Sequence, residues 1–293
     1  MADGNDTLAQ VHRWPNQLER PVLVLGLEGW IDAGLGGAGA VSALLDGITS
    51  EVIATFDSDA LLDQRSRRPV LRIVDGVNTG LTWPEITLSL ASNGGRSVLV
   101  LSGPEPDLSW KRFTREIVAM TSKLGVELVV GLGAFPAPVP HTRPVRLVAT
   151  ATTRELADKV GYLPATIDVP AGISASLERG FAGADIPALG IWARVPHYAA
   201  GMPYPAASEA LLDKLTELTG IAVDTSVVHE AAVTALAQLD QQIRQREDYT
   251  EMVRQLERQS DDEANASTAL DFGQLPSGDE LAAEFERYLR EQP

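Results

Sequence analysis

The sequence of 293 residues contains no cysteine, which excludes disulfide bonds, thiolate nucleophiles and zinc sites built on cysteine. Lysine is nearly as scarce: only four occur, and none follows a glycine-rich loop of the kind that cradles nucleotide phosphates. The four histidines include His229, but the His229-Glu230 pair lacks the second histidine of a zinc-protease helix. We therefore expect no cofactor and no metal site.

Long apolar runs are also missing. No run approaches the roughly 18 residues of a membrane-spanning helix, and residues 1–17 are polar, without the apolar core of a secretion signal. Basic residues are outnumbered by acidic ones, 24 against 40, which gives a formal net charge of −16. A negative field repels phosphate backbones and anionic lipid. We therefore expect no nucleic-acid partner, no membrane partner and a cytoplasmic location.

What the sequence does contain is an alternation of strand-length and helix-length segments, which predicts a three-layer α/β fold with a mixed sheet between helices. Residues 22–27, 97–101 and 127–132 are apolar without interruption and are predicted to be central strands. Residues 70–74 and 86–90 are close in sequence and could pair with each other in antiparallel fashion. The remaining predicted strands are 51–56, 145–150 and 188–195, and the predicted helices are 40–45, 109–124, 153–160 and 208–219.

Three regions follow from the changes in composition. Residues 1–220 form the predicted α/β core, 221–260 a helical extension, and 261–293 an acidic, largely disordered tail with a short helix at 280–290. The extension carries an apolar stripe that either covers its own domain or pairs with another subunit, and we predict a homo-oligomer from its exposure. The tail is either weakly helical or a docking helix. Its apolar positions are Leu281, Phe285 and Leu289.

Two familiar motifs are present only in part. Residues 34–39 match the G-x-G-x-x-G string, but six residues separate it from the preceding strand, whereas a dinucleotide site begins at the strand end. We interpret the string as a turn with close helix–sheet packing. Ser176 stands where the nucleophile elbow of a hydrolase requires its final glycine. We assign no catalytic residue and favour a protein that is not an enzyme.

Polar and aromatic side chains gather in the loops that follow four predicted strands. In a parallel sheet such loops share the carboxyl-end edge, where ligand crevices form. Carboxylates and histidines there could perform acid–base chemistry or bind a partner, or they could be loop caps and salt bridges, for instance between Glu105 and Arg143 or Arg146. The candidate residues are Glu28, Trp30, Asp32, Glu105, Asp107, His141, Arg143, His197 and Tyr198.

The same loops resemble the proteasome assembly chaperone 2 family over about residues 20–260. The matching motifs, in the family's order, are Glu28-Gly29-Trp30-Ile31-Asp32-Ala33-Gly34, Arg68-Pro69, Trp83-Pro84, Gly103-Pro104-Glu105-Pro106-Asp107 with Trp110, Pro140-His141-Thr142-Arg143-Pro144 and Pro196-His197-Tyr198. The resemblance implies a phosphorylase/hydrolase-like fold, self-association and partners among proteasome-related assemblies. The chain departs from the family at its end, Arg290 to Pro293, which lacks the hydrophobic–tyrosine tail through which such chaperones dock.

Two functions remain open from the sequence. The first is a homo-oligomeric, non-enzymatic assembly chaperone or protein-binding protein. The second is an enzyme or sensor that acts on a small molecule, such as a nucleoside or a phosphate compound, in the crevice at the strand ends. A fold alone does not decide between them, because one fold carries many functions.

Overall fold

The computed structural model describes residues 7–265, and it has the predicted three-layer α/β architecture. The strands are β1 (Ala9–Val11), β2 (Val22–Glu28), β3 (Ser50–Phe56), β4 (Val70–Val74), β5 (Val77–Thr82), β6 (Thr87–Asn93), β7 (Arg96–Pro104), β8 (Leu128–Ala137), β9 (Leu147–Ala151) and β10 (Ala188–Pro196). The helices are α1 (Gly36–Asp46), α2 (Ser58–Leu61), α3 (Trp110–Lys123), α4 (Arg154–Asp158), α5 (Ile173–Ala182), α6 (Pro205–Thr219), α7 (Ser226–Arg244) and α8 (Glu247–Asn265).

The main sheet has eight strands in the order β1-β3-β6-β7-β2-β8-β10-β9. Strands β7, β2, β8 and β10 run parallel to one another, while β1, β3, β6 and β9 join through antiparallel pairs. The three predicted central strands are β2, β7 and β8, and each has a neighbour on both sides, which confirms that prediction. Their uninterrupted apolar sequence reflects burial on both faces of the sheet.

Alternate residues of the central strands face two separate cores. Val24 belongs to the core that contains Leu44 of α1 and Leu211 of α6, whereas Leu25 belongs to the core that contains Phe113 of α3 and Phe181 of α5. Successive side chains of a strand point to opposite faces, so the sheet lies between two helical layers. The predicted mixed sheet flanked by helices is therefore confirmed.

The suggested pairing of residues 70–74 with residues 86–90 is wrong. Strand β4 pairs instead with β5 in a separate two-stranded hairpin, and β6 pairs with β3 and β7 in the main sheet. The turn of the hairpin is Asp75-Gly76, with φ angles of +49° and +80°. Two left-handed residues form the turn type that matches the twist of a tight hairpin, which explains why the chain reverses there.

Helices α7 and α8 form a broken pair that covers the core of the same chain. The apolar stripe of this helical arm is buried, including Leu239, Ile243, Val253 and Leu256. Self-association was predicted because this stripe was expected to be exposed. The stripe is buried, so that argument for self-association is wrong. Helix α8 continues to Asn265, past the start of the predicted tail at residue 261, while Leu281, Phe285 and Leu289 lie outside the described residues.

Among the described helices, none has the length and apolar character needed to cross a membrane.

Candidate functional site

The carboxyl ends of the four parallel strands lie at one edge of the sheet, as predicted. Strands β2, β7, β8 and β10 end there at Glu28, Pro104, Ala137 and Pro196. Strand β3 runs in the same direction as β7, because both are antiparallel to β6. The β4–β5 hairpin, which connects β3 and α2 to β6, consequently leaves the sheet at this edge too. We call this side of the molecule the carboxyl edge.

The first group of candidate residues surrounds Glu105. The backbone N–H of Glu105 donates to the carbonyl oxygen of Glu28 at 3.0 Å, and its Oε2 accepts a hydrogen bond of 2.6 Å from the N–H of Ile173, the first residue of α5. Burial raises the pKa of Glu105, and the hydrogen bond from Ile173 opposes this shift. A buried carboxylate at a helix N-terminus satisfies an otherwise unpaired amide. Glu105 therefore anchors α5 to the end of β7.

Trp30 and Asp107 border the same carboxylate. The exposed indole of Trp30 and Glu105 Oε2 both lie close to Gly172, where a Cβ atom would come within 3.5 Å and 3.1 Å of them. Asp107 accepts a hydrogen bond of 2.8 Å from the N–H of Asp63 and forms an ion pair with Arg67 at 3.4 Å. These contacts tie the Glu105 group to the segment that leads into the hairpin.

Asp32 caps α1. Its Oδ1 and Oδ2 accept hydrogen bonds of 2.8 Å and 2.9 Å from the N–H groups of Gly37 and Ala38. Burial and the charge of Glu28 raise the pKa of Asp32, while the two backbone hydrogen bonds lower it, and the rise is larger. The carboxylate thus occupies the helix N-terminus that would face the pyrophosphate in a dinucleotide site. The glycines of the G-x-G-x-x-G string allow α1 to pack closely on the sheet. For example, a Cβ atom on Gly37 would lie 2.7 Å from the carbonyl oxygen of Leu132.

The second group of candidate residues surrounds His141, whose side chain is only 2% exposed. The hydroxyl of Tyr198 accepts a hydrogen bond of 2.9 Å from the backbone N–H of His141 and lies 2.8 Å from its Nδ1. Burial lowers the pKa of His141 and raises that of Tyr198 to about 12. His197 is exposed and meets the Tyr198 ring edge-on, with the ring centroids 5.3 Å apart.

Arg143 faces the helical arm. Its Nε and Nη2 donate to the two carboxylate oxygens of Asp261, each at 2.8 Å, and its Nη1 lies 3.3 Å from Oε1 of Glu257. These interactions raise the pKa of Arg143, and the hydrogen bond to Arg143 lowers the pKa of Asp261. The salt bridge suggested as an example, between Glu105 and an arginine of this loop, does not form, because Arg143 and its neighbour Arg146 bind α8 instead.

The contribution of α8 to this site was not predicted from the sequence. Arg146 and Arg194 both form ion pairs with Glu263 Oε2, at 2.8 Å and 3.2 Å. The available signal was the spacing of Glu257 and Asp261, one helical turn apart on the same face of α8. Their basic partners are more than a hundred positions away in sequence, so the spacing alone did not identify them.

All nine predicted residues thus belong to loops at the carboxyl edge, and their contacts form two groups. Glu28, Trp30, Asp32, Glu105 and Asp107 contact α1, α5 and the base of the hairpin. His141 and Arg143 contact α7 and α8, with Tyr198 and His197 beside them. Within residues 7–265, no cluster of three or more metal-ligating side chains is present.

The chain is similar to proteins of one family. The sequence model of the PAC2 family matches residues 26–243. A Mycobacterium tuberculosis protein of unknown function is 34% identical, with a TM-score of 0.82 over 90% of this chain and 94% of that one. A proteasome-assembly chaperone homologue from Mycobacterium tuberculosis is also 34% identical, with a TM-score of 0.73 over 79% and 99%.

A PAC2 family protein from Streptomyces avermitilis is likewise 34% identical, with a TM-score of 0.72 over 80% of this chain and 99% of that one. No curated protein matches the sequence significantly.

Proposed function

This chain belongs to the PAC2 family, and from that premise we propose that it is a self-associating, assembly-chaperone-like protein whose partners are proteasome-related assemblies. The proposal includes a cytoplasmic location. It is supported by the similarity to a protein described as a proteasome-assembly chaperone homologue, which this chain matches at 34% identity along 99% of that chain.

The observation that carries the proposal is the exposed apolar hairpin at the carboxyl edge. Strands β4 and β5 are exposed along their whole length, and Val70, Ile73 and Val77 are among the most exposed apolar side chains described. Side chains alternate between the faces of a strand, so both faces of the hairpin are apolar. A two-stranded hairpin is marginally stable alone in water, and an exposed apolar patch marks an interaction site.

A second copy of the chain is the occupant that we propose for this hairpin. The hairpin and its base, residues 63–83, contain four arginines and two aspartates, whereas the whole chain has a net charge of −16. A weakly basic, apolar ribbon is complementary to the acidic surface of another copy. Self-association through this ribbon would also bury the two backbone edges that a hairpin leaves unpaired.

We propose that the remaining carboxyl edge binds the client protein. Trp30, Leu35 and Leu108 are exposed there. Exposed aromatic and aliphatic side chains with a polar rim are typical of protein interfaces. The polar rim would consist of Glu28, Asp107, Arg143, His197 and their neighbours in the two groups described above.

The competing hypothesis is a small-molecule enzyme or sensor in this crevice. The contacts support it less, because Asp32 caps α1, Glu105 caps α5, and Arg143 is paired with α8. A thermal-shift screen with nucleosides and phosphate compounds separates the two hypotheses. We expect no shift in melting temperature. A saturable shift that Glu105→Gln abolishes would favour the enzyme or sensor.

The proposal itself is tested by affinity capture of the tagged full-length chain from a native lysate of its own organism. Mass spectrometry should identify proteasome-related subunits at higher abundance than in a capture with the variant Trp30→Ser/Leu108→Ser, which alters the proposed client surface, or with an unrelated acidic bait. Equal recovery of such subunits by the unrelated bait would contradict the proposal.

A further inference from the structure

A group of arginines lies beneath α8, in a chain that is otherwise strongly acidic. Arg146 and Arg194 share one carboxylate oxygen of Glu263, and Arg143 lies on the same loop as Arg146. The backbone also joins these residues, since the N–H of Arg194 donates to the carbonyl oxygen of Arg146 at 3.0 Å. Pro140 and Pro144 restrict the loop. The backbone of the three arginines is therefore held by the core, whereas their guanidinium groups bind mainly α8.

Helix α8 meets these arginines with carboxylates. Asp261 binds Arg143 through two parallel hydrogen bonds of 2.8 Å, an arrangement that matches the planar guanidinium group. Glu257 adds a contact of 3.3 Å to Arg143, and Glu263 binds the other two arginines. Thus α8 presents to the arginines the chemistry of an acidic helical peptide.

Both apolar and polar contacts attach α8 to the core. Val253 and Leu256 are buried, Tyr249 and Met252 are partly buried against the same core, and the ion pairs with Arg143 and Arg146 are partly exposed. Partly exposed ion pairs contribute little to stability and weaken as salt is added. A small cavity also remains between Ser260 and the arginine loop.

Helix α7 packs against α6 as well as against α8. Ala232, Leu239 and Ile243 of α7 are buried in the core, and the arm breaks at Gln245 and Arg246 before α8 begins. A break between two helices permits rotation of one without loss of the other. Release of α8 would therefore expose the arginines and leave α7 in place.

We propose that Arg143, Arg146 and Arg194 form a binding surface for an acidic segment of a partner protein, and that α8 occupies this surface until the partner displaces it. The inference rests on the protein-binding function proposed above and names the chemistry that the partner must present. Carboxylates are favoured because they are what the arginines bind in this structure.

The test uses the full-length chain and a fluorescent peptide with the sequence of residues 247–265. In the released variant, Glu257→Gln, Asp261→Asn and Glu263→Gln remove the charges that face the arginines. The matched control, Glu247→Gln, Glu251→Gln and Asp262→Asn, removes the same charge from exposed positions of α8. Fluorescence anisotropy should show at least tenfold tighter peptide binding by the released variant than by the control or the wild type.

Three further measurements make the result specific. First, a peptide that carries Glu257→Gln, Asp261→Asn and Glu263→Gln should not bind. Second, added salt should weaken binding of the acidic peptide. Third, Arg143→Gln and Arg146→Gln, introduced together into the released variant, should abolish binding of the acidic peptide. Equal binding of both peptides, or no binding by a released variant that retains its circular dichroism spectrum, would overturn the proposal.

Hydrogen exchange of the wild-type chain provides an independent readout if the released variant does not fold. When NaCl is raised to 0.5 M, the protection factors of the α8 amides should fall at least tenfold more than those of the α7 amides. Equal protection of both helices would contradict a displaceable α8. The two proposals can fail separately. If the acidic peptide binds but the chain captures no proteasome-related subunits, only the proposed client is refuted. If the chain captures these subunits but the released variant does not bind the peptide, only this inference is refuted.

Discussion

Replacement of three hairpin residues should dissociate the oligomer and leave the fold intact. The substitutions are Leu71→Ser, Ile73→Ser and Leu81→Ser, at side chains that are 46%, 60% and 47% exposed in the isolated chain. Leu71 and Leu81 face each other across the hairpin, and Ile73 lies on the same face of β4. The three residues therefore form one apolar surface that a second copy would bury.

The size of the effect follows from the exposed area that remains. Full burial of a leucine or isoleucine side chain contributes about 1.5–3 kcal/mol. About half of each of these three side chains is still exposed, so their burial would contribute about 2–4 kcal/mol per copy. Since about 1.4 kcal/mol corresponds to a tenfold change in an equilibrium constant, loss of this contact should weaken association by roughly 30- to 1000-fold.

Sedimentation velocity at tens of micromolar measures the change, a range of concentration in which a weak interface is still occupied. The wild type should sediment as an oligomer and the variant as a monomer. Free energies of unfolding of the monomeric unit should differ by less than about 0.5 kcal/mol, because exposed substitutions rarely affect stability more. A matched control, Val227→Ser with Val233→Ser, changes side chains of α7 that are 77% and 55% exposed and should leave the oligomer unchanged. A wild type that is monomeric, or a variant that stays oligomeric, would refute the reasoning.

Three further predictions concern stability. Asp32→Ala removes two hydrogen bonds to α1 and should lower the free energy of unfolding in urea by about 1–2 kcal/mol, whereas a change below about 0.5 kcal/mol would contradict the cap. Gly37→Ala should cost about 1–3 kcal/mol, because its Cβ would lie 2.7 Å from the carbonyl oxygen of Leu132, while Gly201→Ala, which meets no atom within 4 Å, should change little. Burial lowers the pKa of His141 below its ordinary 6.5, so the native state binds fewer protons than the unfolded state. The free energy of unfolding should therefore fall as pH drops below 6.5, and His141→Gln, which cannot titrate, should reduce this slope; an unchanged slope would contradict the assignment.

The central sheet could be predicted from the sequence because strands buried on both faces have a local signal. The hairpin could not be predicted from apolar runs, since β5 contains asparagine, glycine and threonine and shows no such run. Its turn, Asp75-Gly76, was the available signal. Helix α5 was also missed, although Ile173, Leu177 and Phe181 recur every four residues, because its first turn resembled an incomplete hydrolase motif.

The candidate site was predictable to the level of the sheet edge. The order of strands and loops places Glu28, Glu105, His141 and His197 at one edge whatever their contacts are. Which side chains meet depends on long-range packing, as between Arg143 and Asp261, which are 118 positions apart. The start of α6 illustrates the same limit. The helix was predicted to begin at residue 208, but it begins at Pro205, and the buried hydroxyl of Ser208 donates to the carbonyl oxygen of Gly36 in the neighbouring helix α1.

The most direct test of the proposed function is reconstitution of a proteasome core particle from purified subunits of the organism that encodes this chain. Native gels followed over time should show faster appearance of the assembled particle with the wild-type chain than without it. The variant Trp30→Ser/Leu108→Ser, which alters the proposed client surface, should give a smaller acceleration. Assembly at the same rate with and without the wild-type chain, together with no complex between the chain and any subunit, would contradict the account.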